Sequence, residues 1–199
     1  PPMALTRSLV IVLLAGLALV LNGCATQGPD PAPQVSAGAT DAPEKGAITK
    51  TTVPPVTFFH REYELPAAKI QDRIQPIAEE VALAAVRRAR LEIVGPLTLV
   101  LPDFRDYGEG DLTVAFGYPV RGHGSRLQHY AIQRKDRFHC LSAVFDRESE
   151  EASRLWRKLY ETAAQRGLEP SKENRVVIRE QGDGYQTVFQ LGLKPSNSG

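Results

Sequence analysis

The same order of elements occurs twice between residues 56 and 194, and this repetition constrains the fold most strongly. The first copy contains an extended stretch, a helical pattern and two strands, at 56–63, 74–90, 97–101 and 112–120. The second copy has the same elements at 138–145, 149–165, 176–180 and 186–193. The sequence therefore predicts an α+β domain at 56–194, built as a tandem strand-helix-strand-strand repeat with pseudo-twofold symmetry. An antiparallel sheet would carry both helices on one face.

The last strand of each copy has two different faces, because successive side chains of a strand point in opposite directions. The bulkier residues are expected to lie under the helices: Val114, Phe116, Tyr118, Val120, Thr187, Phe189, Leu191 and Leu193. The other face carries small or neutral polar residues, among them Ala115, Gln186, Val188 and Gln190. Such a face leaves room for a ligand or a partner, and simple exposure to solvent is the alternative.

Residues 1–23 have the three parts of a secretory signal: a basic start at Arg7, an apolar run from Leu9 to Leu21, and a small residue before Cys24. The stretch resembles the lipobox of bacterial lipoproteins, although Asn22 departs from the usual small residue. We expect a lipoprotein signal peptide at 1–23 and lipidation of Cys24. An ordinary signal, or an uncleaved anchor with an incidental cysteine, is the alternative.

The residue after Cys24 is Ala25 rather than Asp, which in enterobacterial lipoproteins implies retention at the outer membrane. The expected location is the bacterial cell envelope, as an outer-membrane lipoprotein that faces the periplasm. Its membrane contact would be the N-terminal lipid. Residues 24–55, rich in Pro, Gly, Ala, Ser and Thr, are expected to form a disordered tether, and 195–199 a disordered tail.

Charge and residue spacing exclude several classes of function. Removal of Arg7 with the signal leaves equal numbers of basic and acidic residues, so nothing favours a nucleic acid partner. The four histidines have no ligand spacing, and we expect neither a metal nor a cofactor. Cys140 lies among apolar residues, which predicts a buried structural thiol.

Several stretches together resemble the GyrI-like, or bacterial effector-binding, domain of the SOUL-like superfamily. They are Gly95-Pro96 before a strand, Phe116-Gly117-Tyr118-Pro119-Val120, the helix at 149–165, and Thr187-Val188-Phe189-Gln190-Leu191-Gly192-Leu193. The resemblance covers residues 56–194. It implies two strand-helix-strand-strand modules with a ligand cleft between them.

One departure from that family affects the expected ligand. Family members usually carry a Thr-Glu pair in the last strand, where this chain has Thr187-Val188. A cleft acid attracts cationic aromatic compounds and serves as the catalytic group in hydrolytic relatives, so its absence disfavours both. Glu180 is the nearest substitute as a catalytic residue, and a solvated turn residue is its alternative role.

The sequence therefore predicts a non-catalytic, lipid-anchored envelope protein whose domain binds a small neutral or amphiphilic ligand. The expected ligand-binding residues are a cleft floor and a set of rim aromatics: Ala115, Gln186, Val188 and Gln190, with Tyr118, Trp156 and Tyr185. Two alternatives remain, a periplasmic hydrolase that uses a cleft acid, and a scaffold that binds an envelope protein.

Overall fold

The computed structural model describes residues 44–102, 110–149 and 151–195. These residues form nine strands and two α-helices. The strands are β1 (Thr49–Val53), β2 (Val56–Pro66), β3 (Glu92–Ile93), β4 (Leu97–Leu101), β5 (Asp111–Arg121), β6 (Ala131–Lys135), β7 (Phe138–Phe145), β8 (Pro170–Gln181) and β9 (Gly184–Leu193). The helices are α1 (Ile70–Leu83) and α2 (Ala152–Gln165). A 3₁₀ turn, Ala67–Lys69, leads into α1, and a π-helical turn, Ala84–Arg88, follows it.

The strands form one antiparallel sheet in the order β1-β7-β9-β8-β4-β5-β2-β6, and β3 pairs with the end of β5. The two copies meet where β4 pairs with β8, with Leu99 opposite Val176. Both helices pack on the same face of the sheet, which confirms the predicted α+β class. The pseudo-twofold symmetry of the two copies stays a prediction.

The face under the helices, called here the helix face, holds the main apolar core. Strand register aligns Phe116, Leu99, Val176 and Phe189 across the centre of the sheet. The helices add their apolar stripes: Ile77 and Val81 from α1, and Leu155, Trp156, Leu159 and Ala163 from α2. Burial of each large apolar side chain contributes about 1.5–3 kcal/mol, so this layer supplies much of the driving force for folding.

The first helix starts earlier than the sequence indicates. It begins at Ile70 rather than 74, so Pro76 lies in its second turn. Pro76 has no N–H to donate to the carbonyl of Asp72. Both residues are exposed, and water can satisfy that carbonyl. At the other end, Arg90 has a φ of 61° and occupies the left-handed position where a helix commonly terminates.

The opposite face of the sheet, called here the inner face, is also buried although no helix covers it. Its buried polar residues include His60, Thr98, Ser142, Arg175 and Gln190. They are shielded because the sheet curls into a half-barrel and its inner side chains meet one another.

An ion-pair chain on the inner face shows how strong this curl is. Lys135 of β6 lies 3.0 Å from Glu173 of β8, although three strands separate β6 from β8. In a flat sheet those strands would be about 19 Å apart. Glu173 also pairs with Arg175 at 2.7 Å, and the Arg175 guanidinium lies 3.8 Å from the centre of the Phe138 ring.

Strand β1 lies within the stretch that the sequence assigns to the tether at 24–55. Thr49–Val53 pair with Ser142–Phe138 of β7, so the ordered domain begins before residue 56. Four of its five residues are β-branched, which suits a strand, and the edge of the sheet gives their backbone hydrogen-bond partners. The signal peptide, Cys24 and the tail beyond residue 195 lie outside the described residues.

Two further sequence expectations concern the described region. Cys140 is fully buried, as predicted, and burial raises the pKa of its thiol to about 11. Neither of the helices in the described ranges is long and apolar enough to cross a membrane.

Replacing Gly192 by Ala tests the close approach of β8 and β9. A Cβ atom at Gly192 would lie only 2.1 Å from the carbonyl oxygen of Glu173. We expect Gly192→Ala to lower the free energy of unfolding by about 1–3 kcal/mol, because backbone must move. Gly184→Ala is the matched control, since open space surrounds that position. Urea unfolding that gives equal midpoints for the two variants would contradict the packing described here.

The buried imidazole of His60 predicts a pH dependence of stability. Burial, and then the nearby charge of Lys135, lower the pKa of His60, against the opposing influence of Glu62 and Glu173. The unfolded chain therefore binds a proton more readily as the pH falls below about 6.5, and stability decreases. We expect wild type to lose more stability than His60→Gln between about pH 7 and pH 5. Equal losses in chemical denaturation would show that His60 titrates normally in the fold.

Candidate functional site

A groove of about 720 Å³ opens on the helix face, between the first turns of α1 and α2. Its walls are α1 residues such as Ile70, Gln71 and Ile74, and α2 residues such as Ala152 and Trp156. Its floor comes from the strands where the two halves of the sheet meet. The volume lies within the usual range for small-molecule sites.

The floor of the groove is apolar. Apart from the exposed Tyr185 at the edge of the groove, the strands supply Leu99, Leu101, Phe145, Val176, Ile178, Thr187 and Phe189, of which Thr187 alone carries a polar side-chain atom. These residues share one face because the register pairs Ile178 with Thr187 and Val176 with Phe189. No carboxylate occurs among these strand residues of the floor. An unpaired cation bound there would lose its hydration without gaining a countercharge.

An aromatic stack forms one side of the groove. The Phe189 ring lies between Trp156 and Phe145, at centroid distances of 4.7 Å and 4.8 Å, and is nearly parallel to both. The stack joins α2, β9 and β7. Trp156 and Phe189 are almost fully buried, so the stack gives the groove a rigid wall rather than a wide open surface.

The connection from β7 to α2 supplies a charged rim: Asp146, Arg147 and Glu148. Lys45 forms a 2.6 Å ion pair with Asp146. Its hydrogen bond is the main cause of the lowered pKa of the Asp146 carboxyl and of the raised pKa of Lys45. Lys45 is exposed and Asp146 is only partly buried, so this surface pair adds little stability.

A polar contact spans the mouth of the groove from α1 to the rim. With the Gln71 amide turned so that its oxygen faces Arg147, that oxygen accepts hydrogen bonds from the guanidinium, the shortest at 3.0 Å. The donors of Arg147 therefore lie beside the apolar floor. This arrangement can hold the polar end of an amphiphile while the floor takes its apolar part.

The groove includes only some of the residues that the sequence analysis selected. Trp156, which is 3% exposed, and Tyr185, which is 75% exposed, both line it. Tyr118 lies under α1, where its hydroxyl donates a 3.2 Å hydrogen bond to the carbonyl of Ala78. It is not a lining residue of the groove.

The expected floor residues lie on the inner face instead. Ala115, Gln186, Val188 and Gln190 alternate with the residues that face the helices, and none of them lines the groove. Val188 is fully buried, and Ala115 lines a smaller inner-face cavity. The larger cavity lies between the two helices, above bulky side chains. The sequence predicts a cleft on the other face, above small side chains. A ligand role for these four residues stays a prediction.

The candidate catalytic residue Glu180 is exposed near the end of β8, opposite Tyr185, and does not line the groove. Within 44–102, 110–149 and 151–195, no three His, Cys, Asp or Glu side chains are grouped so that they could hold a metal ion.

Sequence reasoning missed the polar contact between Gln71 and Arg147. Arg147 was visible only as part of a charged stretch between a predicted strand and a predicted helix. Because α1 was expected to start at 74, Gln71 was not placed on a helix at all. A helix start at 70 would have put Gln71 in the first turn, at the same end of the sheet as Arg147.

Solved structures of other proteins share the fold of this chain. No protein-family model and no curated protein matches the sequence. The C-terminal domain of EcmrR superposes with a TM-score of 0.62 at 12% identity, over 74% of this chain and 97% of that domain. The fold is consistent with a GyrI-like effector-binding domain.

Two further structures share this architecture. EcmrR in a cryo-EM structure of its DNA complex has a TM-score of 0.60 at 14% identity, over 74% of this chain. This chain spans 57% of that EcmrR chain. SAV2435 bound to tetraphenylphosphonium has a TM-score of 0.50 at 10% identity, over 74% of this chain and 94% of the other. At these identities the likeness shows the fold alone.

Proposed function

We propose that this chain binds a small neutral or amphiphilic molecule in the groove between α1 and α2, and that it does so without catalysis. The observation that carries the proposal is the floor, which is apolar and has no strand carboxylate. Relatives of this fold bind small molecules, as the SAV2435 complex with tetraphenylphosphonium illustrates. Tetraphenylphosphonium is a cation, whereas the ligand proposed for this chain is neutral or amphiphilic.

The energetics of the groove favour a ligand with an apolar body. Each 100 Å² of apolar surface removed from water contributes about 2.5 kcal/mol before the costs of association. Such surface comes from the partly exposed apolar lining residues Ile70, Ile74, Phe145 and Ile178. An uncompensated charge would oppose binding. The guanidinium of Arg147 at the rim allows one polar or anionic end, which makes an amphiphile suitable.

A substitution on the floor tests the site. Thr187→Arg would place a guanidinium against apolar side chains and should weaken binding of the neutral fluorescent probe N-phenyl-1-naphthylamine at least tenfold. Thr57→Arg is the matched control, because Thr57 is an exposed strand residue that lines no described cavity. The measurement is a titration of probe fluorescence with the full-length chain, with circular dichroism as a check of folding.

A second ligand tests the proposed charge preference. Tetraphenylphosphonium, added as a competitor, should displace the neutral probe poorly. The floor offers no countercharge, and the carboxylates of the groove, Asp146 and Glu148, lie at its rim, where Asp146 is already paired with Lys45. Equal affinity of the Thr187→Arg and Thr57→Arg variants for the probe would show that it binds elsewhere. Tighter binding of tetraphenylphosphonium than of the neutral probe would contradict a preference for neutral ligands.

We also propose that a lipid on Cys24 anchors the domain at the outer membrane, facing the periplasm. The support is the sequence at 1–24, where an apolar run is followed by Gly23-Cys24. In a bacterial host, mass spectrometry should find the mature chain starting at Cys24 with attached acyl chains. Cys24→Ala should release the domain from the membrane fraction, whereas Cys140→Ala should leave it there. A wild-type chain that begins elsewhere, or carries no lipid, would refute the anchor.

A further inference from the structure

A second cavity, of about 300 Å³, opens on the inner face of the sheet, on the side away from the helices. Strands β2, β5 and β6 form one side of it, and the first residues of β8 form the other. The curl that brings Lys135 to Glu173 creates this space. Its volume lies at the lower end of the range for ligand sites, which limits an occupant to a small molecule.

His60 supplies a buried polar atom to this cavity. Its side chain belongs to a residue that is only 7% exposed, and its ring stacks on Phe58 at a centroid distance of 5.2 Å. Within the described ranges, His60 Nδ1 is buried and has no hydrogen-bond partner. A buried polar atom left unpaired is costly, so a group that pairs with Nδ1 gains more than it would from an exposed atom. The cavity therefore contains an unsatisfied polar position.

The charged residues around the cavity fall into two sets. Glu173 lies between Lys135 and Arg175, so its carboxylate is already committed and this set keeps one net positive charge. Glu62 and Lys172 are exposed, and neither forms an ion pair with any residue that the structure describes. With His60 neutral, the described residues that line the cavity thus present one uncommitted negative charge, Glu62, and one uncommitted positive charge, Lys172.

These two charges lie on different sides of the cavity. Glu62 is on β2, opposite Ala115 of β5, whereas Lys172 is on β8. Two strands, β5 and β4, separate them in the sheet. Ala115 leaves space between them because its side chain is a single methyl group. A molecule of net charge zero with both signs fits this arrangement better than a simple anion or cation, since each end meets its countercharge.

We infer that the inner cavity binds a small zwitterion of the α-amino acid class. Lys172 receives the ligand carboxylate, Glu62 receives the ammonium group, and His60 Nδ1 forms a hydrogen bond with the ligand. This site is separate from the groove and does not depend on the function proposed for it. The ligand would also contact both sides of the curl and so hold β2 and β8 together.

The imidazole of His60 is the reporter for the first experiment. The full-length chain is prepared with ¹³C-labelled histidine, and its four histidine ring signals are followed by NMR. The His60 signal is assigned by its loss in His60→Gln. Each of the twenty common amino acids is then titrated separately. We expect at least one to shift the His60 signal saturably while the signals of His123, His129 and His139 stay constant. Acetate and methylammonium at equal ionic strength should leave all four unchanged.

Substitutions of the two uncommitted charges test the assignment of the ends. Lys172→Gln and Glu62→Gln should each raise the dissociation constant at least tenfold, with folding intact because both side chains are exposed. Glu64→Gln is the matched control, since Glu64 lies two residues along the same strand face and outside the cavity lining. Lys50→Gln is the matched control for Lys172→Gln, because Lys50 is exposed and does not line the cavity. Thr187→Arg should leave amino acid binding unchanged, which separates this site from the groove.

Three results would overturn the inference. One is the absence of any saturable shift of His60 with the amino acids. Another is a shift by acetate as large as that by an amino acid, which would indicate an anion site only. The third is an unchanged dissociation constant in both Glu62→Gln and Lys172→Gln.

Discussion

The curl of the sheet is the constraint on which the other features depend. It is held where Lys135, Glu173 and Arg175 meet on the inner face, and it is permitted where Gly192 lets β9 approach the carbonyl of Glu173. A flat sheet would leave the polar residues of that face in water and would separate β6 from β8. The curl instead buries them in a half-barrel, where Glu173 pairs with Lys135 and Arg175 while His60 Nδ1 stays unpaired.

Curling gives the two faces of the sheet different chemistry. On the convex side, two helices pack over bulky apolar residues and leave a gap between their first turns, where Phe189 and Trp156 are stacked. On the concave side, charges and a buried imidazole border a smaller space. One sheet therefore provides an apolar site and a polar site back to back, separated by a single layer of backbone.

The sequence predicted the parts of this fold that depend on local pattern. Period-two alternation placed Phe116 and Phe189 on one face, and the predicted helix at 149–165 corresponds to α2 (Ala152–Gln165). It did not predict which face holds the larger cavity, because that depends on the gap between α1 and α2. The pairing of Lys135 with Glu173, 38 residues apart, follows from curvature that no local pattern encodes.

The position of β1 has a mechanical consequence. This edge strand is bonded to β7 alone, and the chain just before it is tied to the groove rim through Lys45 and Asp146. Tension applied through residue 44 would reach that ion pair first and the hydrogen bonds of Thr49–Val53 next. Pulling on the N-terminal side would thus strain the mouth of the groove before the rest of the sheet.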